Sequence, residues 1–238
     1  MIAGTMLSSI ELRRYRMKKG RRDDLIALFE ERFIEGQEAC GMVPVGHFRD
    51  PNDDDAFIWF RGFPQFEDRA KALEAFYMHS DTWRTHRDAA NDTLIDSDDV
   101  LLLRPAREQS GFDVDGMTRP ARSSAEETQR VLWLCVVMLA MPASEATVTA
   151  FEREALARLG DVTGGVSYFV TEQRRNEFAR LPVREGEYAF VACAMCRTSG
   201  DVRHCEQIVD ERFVPALAGR VVSVEHVHLR PARRSLLR

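Results

Sequence analysis

The sequence predicts an α+β fold made of two tandem halves, each with the element order β-α-β-β-α-β. Residues 107–127 are rich in Gly, Pro, Ser and charge, so we interpret them as a linker between domains at 8–106 and 128–233. The same order of predicted elements occurs on both sides of this linker. Each half also ends in Leu-Arg-Pro-Ala-Arg, at 103–107 and at 229–233. A repeat at the same point of the same order indicates duplication.

Hydrophobic periodicity defines the elements of the first half. Turn residues or Pro bound four predicted strands, at 10–17, 42–49, 56–63 and 100–104. A helix is predicted at 23–38, because one of its faces carries Leu25, Leu28, Phe29 and Phe33. Two more helices are expected at 66–77 and 82–91, the second with Ser80 or Asp81 as its N-cap.

The second half repeats this order with different residues. Strands are predicted at 131–138, 165–171, 188–195 and 221–229. Helices are predicted at 146–159, after an N-cap at Ser144, and at 202–218. The Arg-rich end of the chain, residues 230–238, is expected to be a solvated terminus.

Each half should therefore form a four-stranded antiparallel sheet of the ferredoxin-like type, with its helices on one face. The other face of each sheet is left uncovered. Two such sheets in one chain can cover each other by packing face to face, which also protects their edges. We expect the two halves to form a closed barrel within one chain.

Composition excludes several classes of protein. The chain has 238 residues and a formal charge of −5, so it has no basic surplus for binding nucleic acid. Its longest apolar run, residues 131–141, is too short to span a bilayer, and the N-terminus has no secretory pattern. Five cysteines form no even framework, which favours a reducing, cytoplasmic location. No cofactor motif is present, and a homodimer is possible.

Several segments of the first half occur in a characteristic order. They are Glu-Leu-Arg-Arg-Tyr at 11–15, Val-Gly-His-Phe-Arg at 45–49, Phe-Ile-Trp-Phe-Arg-Gly-Phe at 57–63, Arg69, Phe76, Trp-Arg-Thr-His-Arg at 83–87 and the segment 95–105. With these segments, residues 8–106 resemble the NIPSNAP domain, a branch of the dimeric α+β barrel superfamily. The second half is similar only in element order and in its Leu-Arg-Pro-Ala end.

This resemblance implies the barrel fold, whereas it leaves the chemistry open. The superfamily contains oxygenases, isomerases, decarboxylases and members without known chemistry, and a fold shared by so many activities does not select one. Function must therefore be argued from the side chains of this chain.

Strand alternation selects a first group of candidate site residues. Glu11, Arg13 and Tyr15 share one face of their strand, opposite two apolar residues; Trp59 and Arg61 share a face of theirs. If the apolar faces pack on the helices, this polar and aromatic group lines the barrel interior. Guanidinium groups donate paired hydrogen bonds to oxygen atoms and aromatic rings stack on flat molecules, so this group suits a planar, oxygen-rich ligand. The alternative is that Glu11 only neutralises the arginines of a polar interior.

Three further residues complete the candidate site. His47 and Tyr15 are the groups that could move a proton, although a strand histidine satisfied by the backbone is the commoner case. Trp83 is expected to pack on the sheet or at a barrel mouth, and His86 lies three residues later on the same helix.

His226 and His228 share one face of the last strand, but two ligands alone do not make a metal site.

Two functions remain open from the sequence. The first is a small-molecule protein with its pocket between the sheets, in which a cofactor-independent enzyme of the isomerase or monooxygenase type uses Arg13 and Arg61 to stabilise an enolate-like charge. The second is a non-catalytic scaffold or interaction module, which predicts a barrel filled by side chains. A haem or metal protein is a weaker third possibility.

Overall fold

The computed structural model describes residues 6–238, so the N-terminal segment on which the absence of a secretory signal was argued lies partly outside the described residues. Within that range, the strands of the first half are β1 (Ser9–Met17), β2 (Val43–Arg49), β3 (Ala56–Phe63) and β4 (Leu94–Pro105). Those of the second half are β5 (Val131–Leu139), β6 (Ser167–Thr171), β7 (Tyr188–Cys196) and β8 (Val221–Pro231).

Five helices connect these strands in the described part of the chain: α1 (22–38), α2 (66–79), α3 (Asp81–Asn91), α4 (145–163) and α5 (199–216). All except α3 contain a five-residue π-helical segment, at Phe29–Phe33, Ala75–His79, Glu152–Leu156 and Val209–Phe213. The Ser80 side chain caps α3 by accepting from the backbone N–H of Trp83 at 3.3 Å, as the sequence predicts. No helix among the described residues is long and apolar enough to cross a membrane.

The eight strands close into one barrel in the order β1-β3-β2-β8-β5-β7-β6-β4. Each half contributes a four-stranded antiparallel sheet, and the two sheets join where β2 pairs with β8 and β4 pairs with β6. Two ferredoxin-like halves therefore form an α+β barrel within one chain, which confirms the predicted fold class.

Apolar side chains fill the barrel interior. The inward-facing residues include Leu12 and Phe60 from the first half and Leu134 and Leu229 from the second. Phe112, from the segment between the halves, inserts between the sheets with its ring centroid 5.1 Å from that of Phe60. Because dense apolar packing excludes water, the interior acts as a hydrophobic core.

The C-terminal residues continue the sheet along the edge of β2. The backbone N–H of Ala232 donates to the His47 carbonyl at 2.9 Å, and that of Leu237 donates to the Val45 carbonyl at 3.2 Å. Arg234 and Ser235 are buried. The expectation of a solvated terminus is therefore wrong, since this segment covers an edge whose backbone groups need partners.

Candidate functional site

A cavity of about 250 Å³ lies between the outer face of the first sheet and the helices of the same half. Aromatic side chains form most of its wall: Tyr15, Phe29, Phe33, Phe57, Trp59, Phe76, Tyr77, Trp83 and Phe178. Its polar lining consists of Gln37, Arg87, Asn91, Ser97 and Arg180. A concave, largely apolar site with a few polar groups is typical of small-molecule binding.

The π-helical segments of α1 and α2 supply much of the aromatic wall. Phe29 lies with its ring centroid 4.9 Å from that of Trp59, at an interplanar angle of 71°. Tyr77 lies 4.7 Å from Trp83 at 75°. These edge-to-face contacts hold the rings in fixed orientations around the cavity. Widened helical turns of this kind occur often at functional sites.

Beneath this wall lies a buried charge cluster centred on the carboxylate of Glu11. Arg13 Nη1 donates to Glu11 Oε2 at 2.8 Å, and Arg61 Nε donates to the same oxygen at 2.9 Å. Arg69, from α2, donates its Nε to Glu11 Oε1 at 2.7 Å. All four side chains are at most 1% exposed. We call these four residues the Glu11 cluster.

The Glu11 cluster carries more positive than negative charge. Burial alone would raise the pKa of Glu11, but Arg61, Arg13 and Arg69 hold it well below its usual range. One carboxylate thus faces three guanidinium groups, and no other carboxylate of the described residues forms an ion pair with any of them. Because buried charge is normally balanced, the excess favours a further anion nearby.

Two tyrosines connect the Glu11 cluster to the cavity. Arg13 Nε donates to the Tyr15 hydroxyl at 2.9 Å, and Arg61 Nη1 donates to the Tyr77 hydroxyl at 3.0 Å. Each hydroxyl therefore accepts from an arginine and keeps its own hydrogen for another acceptor. Burial raises the pKa of Tyr15 despite the opposing effect of Arg13, so this phenol stays protonated at neutral pH.

The second half shows that the fold does not require this cluster. The shared Leu-Arg-Pro-Ala end aligns Leu103 with Leu229, and these residues pair with Ile10 on β1 and Leu132 on β5. The strand register then gives the equivalent positions. Glu11 and Arg13 correspond to Trp133 and Cys135 on β5, and Trp59 and Arg61 correspond to Ala192 and Ala194 on β7. There the layer between sheet and helices is an apolar core. The charges are therefore specific to the first half.

A loop of the second half completes the cavity of the first. Residues 172–187, between β6 and β7, place Phe178, Arg180 and Leu181 in the lining. Arg69 Nη1 donates to Asn176 Oδ1 at 2.8 Å, which connects the loop to the Glu11 cluster. The corresponding turn of the first half, between β2 and β3, is only residues 50–55.

The structure brings five predicted site residues together, but on the opposite face of the sheet. Glu11, Arg13, Tyr15, Trp59 and Arg61 face the helices, so the prediction that they line the barrel interior is wrong. The apolar residues between them face inward, because the interior is sealed on all sides and takes the most apolar faces. Helices α1 and α2 supply the partners that the buried arginines need.

His47 faces the helices but lies outside the cavity lining. Its Nε2 is 3.1 Å from Glu30 Oε1, and Phe29 lies against its ring. Burial lowers the pKa of His47. This position does not bring His47 to the cavity wall, and its expected role in proton transfer stays a prediction.

Trp83 and His86 differ in their relation to the cavity. Trp83 lines it, against Tyr77 and Phe33. His86 is only partly buried, with its ring centroid 6.5 Å from that of Phe33, and lies outside the lining. The expected substrate-binding role thus fits the position of Trp83, whereas His86 does not reach the cavity wall.

Sequence reasoning missed the contributions of α2 and of the 172–187 loop. Arg69 matched the family pattern, but nothing in the sequence placed its side chain on Glu11. Tyr77 and Arg180 belong to segments without a motif. Only the tertiary fold brings these residues to the cavity.

The two histidines of β8 are satisfied by neighbouring side chains. His226 Nε2 lies 3.1 Å from Asp210 Oδ1, and its Nδ1 accepts from Trp133 Nε1 at 3.2 Å. His228 Nε2 lies 2.7 Å from Glu206 Oε1. Among the described residues, no group of three or more His, Cys, Asp or Glu is arranged to hold a metal ion.

The barrel of two ferredoxin-like halves has the architecture of a dimeric α+β barrel within one chain. The sequence profile of the NIPSNAP family matches residues 10–108. The N-terminal half is therefore a NIPSNAP domain. No functionally curated protein matches the chain.

Solved structures share the architecture of the whole chain at low sequence identity. A suggested monooxygenase from Fusobacterium nucleatum superposes with a TM-score of 0.59 at 8% identity, over 97% of this chain and 94% of that one. A suggested monooxygenase from Lactobacillus acidophilus NCFM gives 0.56 at 12%, over 95% and 94%. An anthrone oxidase-like protein gives 0.54 at 13%, over 95% and 92%. At these identities the similarity establishes the fold alone.

Proposed function

We propose that the cavity binds a planar aromatic or carbonyl-rich small molecule and promotes proton transfer on it without a bound cofactor. The observation that carries this proposal is the pair of tyrosine hydroxyls at the cavity wall, each accepting a hydrogen bond from an arginine of the Glu11 cluster. Flat aromatic walls favour a flat ligand, and the hydroxyls favour an oxygen on it.

The hydroxyl hydrogens of Tyr15 and Tyr77 can be donated to a carbonyl oxygen of the ligand. When a neighbouring carbon loses its proton, negative charge develops on that oxygen, and the excess positive charge of the Glu11 cluster stabilises it. The raised pKa of Tyr15 makes it a hydrogen-bond donor and not a base.

The described cavity lining contains no carboxylate or imidazole to remove the carbon-bound proton. The proposal therefore favours a substrate whose carbon is already acidic, such as one flanked by two aromatic rings or two carbonyl groups, so that water can accept the proton. Reprotonation at another atom gives an isomerase. Electron transfer from the enolate to O₂ begins a monooxygenase reaction, and two similar structures are suggested monooxygenases.

Anthrone tests this proposal, because it is planar and its methylene carbon is acidic. We expect the protein to accelerate deuterium exchange at that carbon in anaerobic D₂O at least about tenfold over buffer, corresponding to ~1.4 kcal/mol of enolate stabilisation. Tyr15→Phe should remove most of this acceleration. Tyr168→Phe, in the second half, should keep it. An exchange rate equal to that of buffer would contradict the catalytic proposal, and oxygen uptake in air would identify a monooxygenase.

A non-catalytic protein that binds its ligand in the same cavity is the second candidate, and the absence of a carboxylate or imidazole among the described lining residues favours it. In that case anthrone would bind in the cavity without faster exchange. Both candidates therefore bind the ligand in the same cavity, and the rate of deuterium exchange distinguishes them.

A further inference from the structure

The mouth of the cavity carries two arginines that the proposed proton transfer does not use. Arg87 lies on α3 and Arg180 on the 172–187 loop; both line the cavity and both are exposed. They therefore stand at its solvent-facing side, away from the buried Glu11 cluster.

Acidic side chains of the protein do little to occupy these two guanidinium groups. The ion pair of Arg87 is with its sequence neighbour Asp88, at 3.4 Å, and both side chains are more than half exposed. Arg180 forms no ion pair with any of the described residues. A guanidinium that is held only weakly, or not at all, remains available to a ligand.

The charged side chains that line the cavity are both positive. The chain contains more acidic residues than basic ones, 38 against 33, yet no Asp or Glu occurs among the described residues of the lining. The positive Glu11 cluster lies at the inner wall and two arginines lie at the mouth. A site with this distribution attracts an anion.

We infer that the ligand is an aromatic hydroxy acid or a keto acid: a flat ring system with an oxygen at one end and a carboxylate at the other. The inner oxygen meets Tyr15 and Tyr77, the rings fill the aromatic cavity, and the carboxylate lies between Arg87 and Arg180. Guanidinium groups bind carboxylates through paired hydrogen bonds. This inference rests on the proposed function of the cavity, whose ligand class it narrows.

Calorimetry with two matched probes tests the inference. 2-Naphthol offers the rings and the hydroxyl, and 6-hydroxy-2-naphthoate adds a carboxylate at the far end. We expect the wild-type protein to bind the carboxylate at least about tenfold more tightly, as two exposed charge-assisted contacts allow. In the double variant Arg87→Gln/Arg180→Gln this advantage should fall to about twofold or less, with the affinity for 2-naphthol unchanged.

The control variant is Arg84→Gln/Arg175→Gln. It removes the same charge from the same helix and the same loop, but neither residue lines the cavity, so it should keep the advantage. Binding of both probes with equal affinity, or loss of the advantage in both double variants alike, would overturn the inference and leave the proposed function standing. If neither probe binds, the proposed function fails and this inference fails with it.

Discussion

Arg69 on helix α2 donates from Nη1 to Oδ1 of Asn176, in a loop from the other half of the chain, at 2.8 Å. Asn176 Oδ1 also accepts from the backbone N–H of Phe178, and its Nδ2 donates to the Leu181 carbonyl. One side chain thus orders the loop and attaches it to the Glu11 cluster. The second half, which has no such cluster, contributes to the site by covering it.

We expect Asn176→Ala to weaken 6-hydroxy-2-naphthoate binding about fivefold, since losing a hydrogen bond costs ~1 kcal/mol. The melting temperature should fall modestly, because the buried Arg69 loses an acceptor while most of the loop surface is exposed. Calorimetry measures the affinity, and Arg175→Ala is the control. The control removes a charge from the same loop but leaves the contact between Asn176 and Arg69, so the comparison distinguishes an effect of loop position from an effect of loop charge. Equal affinities for the two variants would show that the loop does not shape the site.

Glu11→Gln leaves three guanidinium groups buried without their carboxylate. We expect the free energy of unfolding in urea to fall by ~3–5 kcal/mol, the cost of an unpaired buried charge. Glu225→Gln removes the 2.6 Å ion pair with Arg14, but Glu225 is 51% exposed, so the expected loss is ~1 kcal/mol or less. A similar small loss for both variants would contradict the electrostatic account of the cluster.

Stability should fall in acid partly because of Glu30. Burial raises the pKa of this carboxyl, but hydrogen bonds from His47 and from Arg234 and Arg233 lower it to about 2, from 4.5. A depressed pKa stabilises the folded state above about pH 4.5, and this contribution is lost as pH falls towards 2. The stability difference between wild type and Glu30→Gln should therefore shrink between pH 6 and pH 3.

The matched control for this titration is Glu127→Gln, which changes an exposed carboxyl. Its difference from wild type should stay near zero throughout. A difference for Glu30→Gln that does not depend on pH would show that Glu30 acts through packing and not through its charge.

Deleting residues 233–238 should destabilise the protein by at least ~3 kcal/mol. The deletion exposes the edge of β2, removes the buried side chain of Leu237 and breaks the backbone bond to Val45. Arg230→Ala, at an exposed position of β8, should change stability by less than ~0.5 kcal/mol. Thermal unfolding measures the melting temperatures of both variants, and equal values would mean that this segment does not stabilise the edge of β2.

Hydrophobic periodicity predicted the order of elements well because each strand and helix buries a continuous face. The largest error is the start of β4, at Leu94 instead of residue 100. Three of its first six residues are acidic and resemble a turn, but Asp96 and Asp99 lie opposite Arg16 and Arg14 on β1. The ion pairs of Arg14 and Asp99 are with Glu225 and Arg184, so the backbone pairing with β1 extends a strand whose own sequence gave little apolar signal.

The candidate site was predicted in composition but not in orientation. Strand alternation placed Glu11, Arg13 and Tyr15 on one face of β1, as the structure has them. When both faces of a sheet are buried, however, alternation does not show which face lines the barrel and which packs on the helices. That choice depends on Arg69, Gln37 and Tyr77, which reach the first sheet from the helices. Such partners are far away in sequence, and periodicity contains no information about them.

A crystal structure of the protein with 6-hydroxy-2-naphthoate tests the central claim most directly. We predict one bound molecule in the cavity of the first half, with its rings between Trp59 and Tyr77 and its hydroxyl within hydrogen-bonding distance of Tyr15 or Tyr77. A molecule bound between the two sheets, or in the apolar layer around Trp133 of the second half, would contradict this account of where the protein acts.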